Sequence, residues 1–214
     1  MTSWGRAKSE KQHRIEAREL SSKMLSNKMK ITVHPEKLGD PSQKQVGFYM
    51  KYASFVLRTL RRPPFQKFLS WMLRKENIEE HMVRDVQVIV FPSQRKNGNG
   101  LAGHCNTNRG RIQIYPKTLK FCQELMQESG KDKFTLYAGS RARAALIHEL
   151  LHLKYANDEE KVRELTKEYF AVFAQNRSAQ NSHMTSIYNM IFRPEAIENA
   201  DFSGKIEVAR KISP

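Results

Sequence analysis

The sequence predicts an α+β protein, on three observations. Apolar residues recur at helical spacing through residues 43–75 and again from about 118 to 175. Three short strand-like runs stand between them, at 85–91, 101–106 and 111–115, the first and third rich in Val and Ile. Gly, Asn and Pro punctuate the boundaries. The expected architecture is a small, mainly antiparallel three-stranded sheet, with helices before it and two helices after it. The chain has 214 residues, 39% apolar and 28% charged, which suits one domain with appendages.

Residues 1–40 are expected to form a basic arm, polar with a marginal helix around Arg14–Met29. Within it Lys30–His34 (KITVH) alternates as a short strand does. Gly39-Asp40-Pro41-Ser42 makes a turn. Residues 41–80 form a helical segment: Val46, Tyr49, Met50, Ala53, Leu57 and Leu60 mark a first helix over Gln43–Leu60. Pro63-Pro64 breaks it, and Phe65, Phe68, Leu69 and Met72 mark a second, ended by Asn77. Asp85–Phe91 is a strand bounded by Pro92. Leu101–Asn106 and Arg111–Tyr115 are strands joined by the turn Asn106–Gly110. A helix follows over Thr118–Gln127, then a loop at Ser129–Lys133. Ser140 opens a long apolar helix, Arg141–Tyr155, and a second runs over Asp158–Gln175. Residues 177–214 are a C-terminal extension: a Ser/Asn/Gln-rich loop to 186, the apolar run Ile187–Phe192, and a mixed tail.

The charge is uneven. The chain carries 37 Lys/Arg against 22 Asp/Glu, and residues 1–75 alone hold 17 against 5, net +12. Such a segment attracts polyanions, so nucleic acid is an expected partner of the basic N-terminal third. No apolar run approaches the roughly 18 residues of a membrane span. The first residues lack the apolar core of a secretory leader, and a cytoplasmic location is expected. Two cysteines, Cys105 and Cys122, make neither a disulfide scaffold nor a four-cysteine metal site.

The residues that carry chemistry lie in the long apolar helix. His148-Glu149-Leu150-Leu151-His152 is an H-E-x-x-H run. Positions four apart share a helix face, so His148 and His152 present two imidazoles at one point, as zinc requires. Glu149 lies about 100° round the helix and can reach a water on that ion, as a general base. Ala145, Leu146, Ile147, Leu150, Leu151 and Leu153 make the helix apolar almost all round and so buried. Three buried polar groups on such a helix need partners, and one metal ion with its water satisfies all three.

Ala145–Lys154 resembles the extended zincin consensus around its H-E-x-x-H. The metzincin continuation is missing, because Tyr155 and Asp158 stand where it needs Gly and His. The short turn and Glu-bearing helix that follow are more similar to the gluzincin branch, above all the small archaeal minigluzincins. That resemblance spans about residues 85–175. It implies a zincin-like catalytic core over 81–176, a zinc metallopeptidase acting on peptide or unfolded protein, and a third ligand supplied by a glutamate of the next helix. It also implies that a strand at the cleft rim, Leu101–Asn106 or Arg111–Tyr115, binds extended substrate, with Gly103 and His104 lining the site.

Four glutamates compete for the third ligand. A helical hairpin turning near Ala156–Asn157 sets the midpoint of His148 and His152 against a residue near 163, which favours Glu164. Glu160 is the alternative, although Asn157-x-x-Glu160 fits a capping box. Glu159 and Glu168 read as solvated or paired with basic neighbours. Tyr169, His183 and Tyr188 are candidates for holding an oxyanion, and the sequence does not choose among them. Two other functions stand beside the peptidase: a nucleic-acid-associated protein with a structural zinc, or one whose proteolysis is confined to DNA-bound proteins; and a latent peptidase whose tail after Asn176 fills the cleft.

Overall fold

The computed structural model describes residues 29–35, 41–93, 102–175 and 184–192. The expected helix around Arg14–Met29 up to its last residue, all but the first residue of the 93–100 loop, and the tail beyond Phe192 lie outside the described residues.

KITVH supplies strand β1 (Ile31–His34). Helix α1 (Gln43–Leu60) starts on a capping box. The Ser42 hydroxyl accepts from the Gln45 backbone N–H, and the Gln45 side chain accepts from the Ser42 N–H. Helix α2 (Pro63–Lys75) carries both prolines in its first turn, where a missing N–H removes no helical bond. It ends at Glu76 and Asn77, the latter at φ 55, a left-handed turn that Asn tolerates. After a short 3-10 turn come β2 (Asp85–Ile89), β3 (Gly103–Asn106) and β4 (Arg111–Ile114). Helices α3 (Leu119–Tyr155), α4 (Glu159–Gln175) and α5 (Met184–Phe192) complete the order.

The sheet is four-stranded and mixed, in the order β1-β2-β4-β3, and not the mainly antiparallel three-stranded one expected. The β3–β4 hairpin forms as anticipated, antiparallel, with Cys105 opposite Ile112. Its turn closes where Asn106 Oδ1 accepts from the Arg109 N–H and Gly110 takes φ 58. A Cβ on Gly110 would meet the Met82 carbonyl at 2.5 Å. The difference lies in β2, which pairs in parallel with β4, and in β1, which adds in parallel to β2. Both links are long enough for a parallel crossover, which needs roughly a dozen residues. One contains α1 and α2, and the other contains β3.

Side chains alternate across the strands. Ile31, Val86, Val88, Cys105, Ile112 and Ile114 are buried in the main core. The other face carries a polar row. Gln87 donates to Asp85, Gln113 to Gln87, and Tyr115 to Gln113.

Helix α3 is the centre of the molecule. The loop expected at Ser129–Lys133 contracts to a break at Gly130 (φ 79, ψ 165), and the helix resumes at once. Every residue from Tyr137 to His152 is buried. Leu146, Ile147, Leu150 and Leu151 are wholly inaccessible, each stabilising the fold by about 1.5–3 kcal/mol. Among the described residues, no helix is long and apolar enough to cross a membrane.

Glu76, just past α2, is a buried carboxylate that the sequence did not single out. It accepts from Lys154 Nζ at 3.1 Å, from the Tyr155 hydroxyl at 2.6 Å, and from the Tyr169 hydroxyl. It therefore ties α2 to the last turn of α3 and the middle of α4. Burial alone would raise its pKa, but the bonds from Tyr155, Tyr169 and Lys154 outweigh burial and hold it below the ordinary 4.5. A depressed carboxylate stabilises the fold above its unfolded value, and that contribution disappears as pH falls through the folded value. Glu76→Gln is expected to cost about 1.5–3 kcal/mol near neutrality. The gap between variant and wild type should narrow below about pH 4.5. Urea midpoints measured from pH 7 to pH 3 check this, and a constant gap would refute it.

Candidate metal centre

The buried stretch of α3 brings His148 and His152 together one turn apart. Their rings lie 4.7 Å apart at 79° and their Nε2 atoms 3.0 Å apart. The third group is Glu159, at the first position of α4. Its Oε2 lies 3.3 Å from His152 Nε2, and its Oε1 lies 3.6 Å from His148 Nε2. These three residues form a group able to hold a metal ion, the one such group among the described residues. Two ligand atoms about 2.0–2.1 Å from a tetrahedral ion stand about 3.3 Å apart, and the observed edges bracket that value.

The hydrogen bonds behind the rings fix their tautomers. His152 Nδ1 lies 2.7 Å from the Ala156 carbonyl, which can only accept, so Nδ1 carries the proton. His148 Nδ1 lies 3.3 Å from Thr166 Oγ1. That hydroxyl spends its hydrogen on the Val162 carbonyl at 2.6 Å and so accepts from His148. Both Nε2 atoms then point lone pairs at one spot, beside a carboxylate. Three lone pairs converging at about 3 Å repel one another unless a cation lies between them. Ala156 is one of two non-glycine residues with positive φ among the described residues, at 44°. This tight turn aims its carbonyl back at His152.

Burial raises the pKa of Glu159, and the 2.8 Å bond that its Oε1 accepts from Arg163 Nε works the other way. Arg163 grips Oε1 and leaves Oε2 as the atom nearer His152.

Glu164, favoured from the sequence, is exposed and away from the pair, as is Glu160. Along the hairpin His148 meets Thr166 and His152 meets Glu159. Which residue at that level reaches the histidines depends on the face of α4 that turns inward. That face carries Val162, Thr166, Tyr169, Phe170 and Phe173. Glu159 lies three residues before Val162 and belongs to the stripe, whereas Glu164 lies two residues on, about 200° round. The capping box at Asn157 also shifts by one. Asp158 Oδ1 accepts from the Lys161 N–H and is the cap, which frees Glu159 to face the histidines.

Glu149 is 1% exposed and packs against β3. A Cβ on Gly103 would come within 2.6 Å of Glu149 Oε1, so the absence of a side chain there admits the carboxylate. Gly103 is thus at the site. His104, the next residue, points to the opposite face of the sheet by strand alternation and is not brought to the cluster. Cys105 returns to the Glu149 side. Burial first, and then the Glu149 charge, push its thiol up to about 12, which keeps it protonated. Of the oxyanion candidates, Tyr169 is engaged by Glu76, and Tyr188 packs on Phe170 and Phe192. His183 lies outside the described residues.

Comparison of the chain with protein-family models, with curated proteins and with solved structures returns no match.

Proposed function

We propose that this chain is a zinc-dependent metallopeptidase with His148, His152 and Glu159 as ligands and Glu149 as general base. The observation that carries the reading is the convergence of two tautomer-fixed Nε2 lone pairs with the Glu159 carboxylate. Two imidazoles and one carboxylate are the donor set of a catalytic zinc site, which keeps a position open for water or substrate. When bound, zinc supplies Lewis acidity that lowers the pKa of water towards about 7.

The chain's own groups do the rest. Glu149, adjacent in sequence to His148 and held against the β3 backbone, takes a proton from the attacking water and later returns it to the leaving amine. Strand β3 is an edge strand, hydrogen-bonded only to β4 among the described strands, and lies beside Glu149. An extended peptide adding to that edge would carry its carbonyl to the site. The substrate class this favours is unfolded polypeptide.

The test begins with metal content by elemental analysis and hydrolysis of a labelled unfolded protein. About one zinc per chain is expected. Activity should be lost on chelation and restored by zinc, and both should be absent from His148→Ala. A folded wild type that takes up no zinc when it is offered would sink the proposal.

A further inference from the structure

The positive charge of the N-terminal third is concentrated in two consecutive helices and not in the arm that precedes them. Residues 1–42 hold 9 Lys/Arg against 5 Asp/Glu, whereas residues 43–75 hold 8 against none. The helical pair therefore contributes +8 of the +12.

The fold arranges these charges in two lines. On α1, Lys44, Lys51 and Arg58 are exposed at intervals of seven residues, which places them on one face about 10 Å apart. Arg62 is exposed where the helices join. On α2, Lys67, Trp71 and Arg74 stand at i, i+4 and i+7, all exposed. Trp71 keeps 39% of its surface accessible although it contacts Phe68 and Tyr169 edge-on or tilted. Among the described residues, no carboxylate pairs with Lys44, Lys51, Arg58, Arg62 or Lys67. The opposite faces of both helices are committed to the core through Tyr49, Ala53, Val56, Phe65, Leu69 and Met72.

We propose that the exposed basic lines of α1 and α2 bind single-stranded nucleic acid, with their cations on its phosphates and Trp71 stacking on a base. A linear, regularly spaced array of cations matches a linear polyanion. An aromatic set between two cations is the feature that a single strand uses, because every base offers a π face. A bilayer would call for a continuous apolar stripe beside the charges. Here the main apolar stripes of both helices are buried in the core, and the large apolar side chains left exposed on them, Val46, Met50 and Trp71, are too few to make such a stripe.

The test uses the full chain and a fluorescein-labelled oligothymidylate of roughly 20 nucleotides, followed by anisotropy from about 50 to 200 mM salt. Each phosphate contact contributes about −0.7 to the slope of log affinity against log salt. The triple variant Lys44→Gln, Lys51→Gln, Arg58→Gln should flatten the slope by about 2 and weaken binding at least tenfold at the lower salt. Trp71→Ala should weaken binding by roughly 5- to 100-fold and Trp71→Phe much less, with circular dichroism confirming the fold. His148→Ala should bind as wild type does, which separates this face from the metal centre. Unchanged affinity and slope in the triple variant would overturn the proposal and return the charge effect to residues 1–42. Binding to phosphatidylserine vesicles without binding to the oligonucleotide would overturn it too, as would equal competition by polyglutamate.

Discussion

Glu159→Ala is expected to lower zinc affinity by more than the roughly 10- to 100-fold that loss of an outer partner costs, whereas Glu164→Ala leaves it unchanged. Glu159 places one oxygen 3.3 Å from His152 Nε2 and the other 3.6 Å from His148 Nε2, while Glu164 is exposed on the far face of α4. Removing a ligand takes away both a donor atom and the charge that balances the dication. Competition against a chromogenic chelator at neutral pH measures the difference. Glu159 is half-buried at the start of its helix, so its replacement costs only about 0.3–1 kcal/mol through the helix dipole. The variant should stay folded, and a loss of affinity can be read as a loss of ligation. The reverse ranking, Glu164→Ala weakened and Glu159→Ala intact, would put the third ligand on the other face.

Glu149→Gln is expected to reduce hydrolysis of an unfolded protein by about 10²- to 10⁴-fold, the usual contribution of a positioned general base, with zinc still bound. Glutamine keeps the shape and the contact with Gly103, so only proton transfer is lost. Gly103→Ala should act through the same atom. The new methyl would stand 2.6 Å from Glu149 Oε1 and 2.7 Å from its Cγ, so the carboxylate must move. Activity should fall in this variant while zinc content holds. Full activity in Glu149→Gln, with zinc present, would exclude it as the base.

Much of the site could be read from the sequence because its chemistry is local. His148, Glu149 and His152 lie on one helix, and periodicity alone sets their mutual placement. The helices at 43–60 and 63–75 were equally legible, since capping residues and prolines act within a turn of where they stand. The sheet order was not. Parallel pairing of β2 with β4 depends on which strands the packed helices bring together, and nothing in DVQVI or RIQIY encodes its partner. The place of Glu159 beside the two histidines was recoverable too. Val162, Thr166, Tyr169, Phe170 and Phe173 already mark the inward face of α4 in the sequence, and extending that stripe backwards reaches Glu159. Glu76 gave no signal at all. A lone acidic residue after a helix looks like surface until Lys154, Tyr155 and Tyr169 are brought to it from about 80 or 90 positions away.

The burial of α3 from Tyr137 to His152 has a consequence for how the proposed metal centre would exchange an ion. The two imidazoles ride on a helix held by apolar neighbours that owe nothing to the metal. Folding and metal loading are therefore separable events. Unlike a zinc finger, which is unfolded without its ion, this chain should persist as a folded apoprotein. The ion would then add stability by mass action alone, about 2.7 kcal/mol at a free concentration one hundred times the Kd. With the proposed ion the polypeptide would be a reusable holder, emptied and refilled without being remade, its occupancy following the free metal concentration around it.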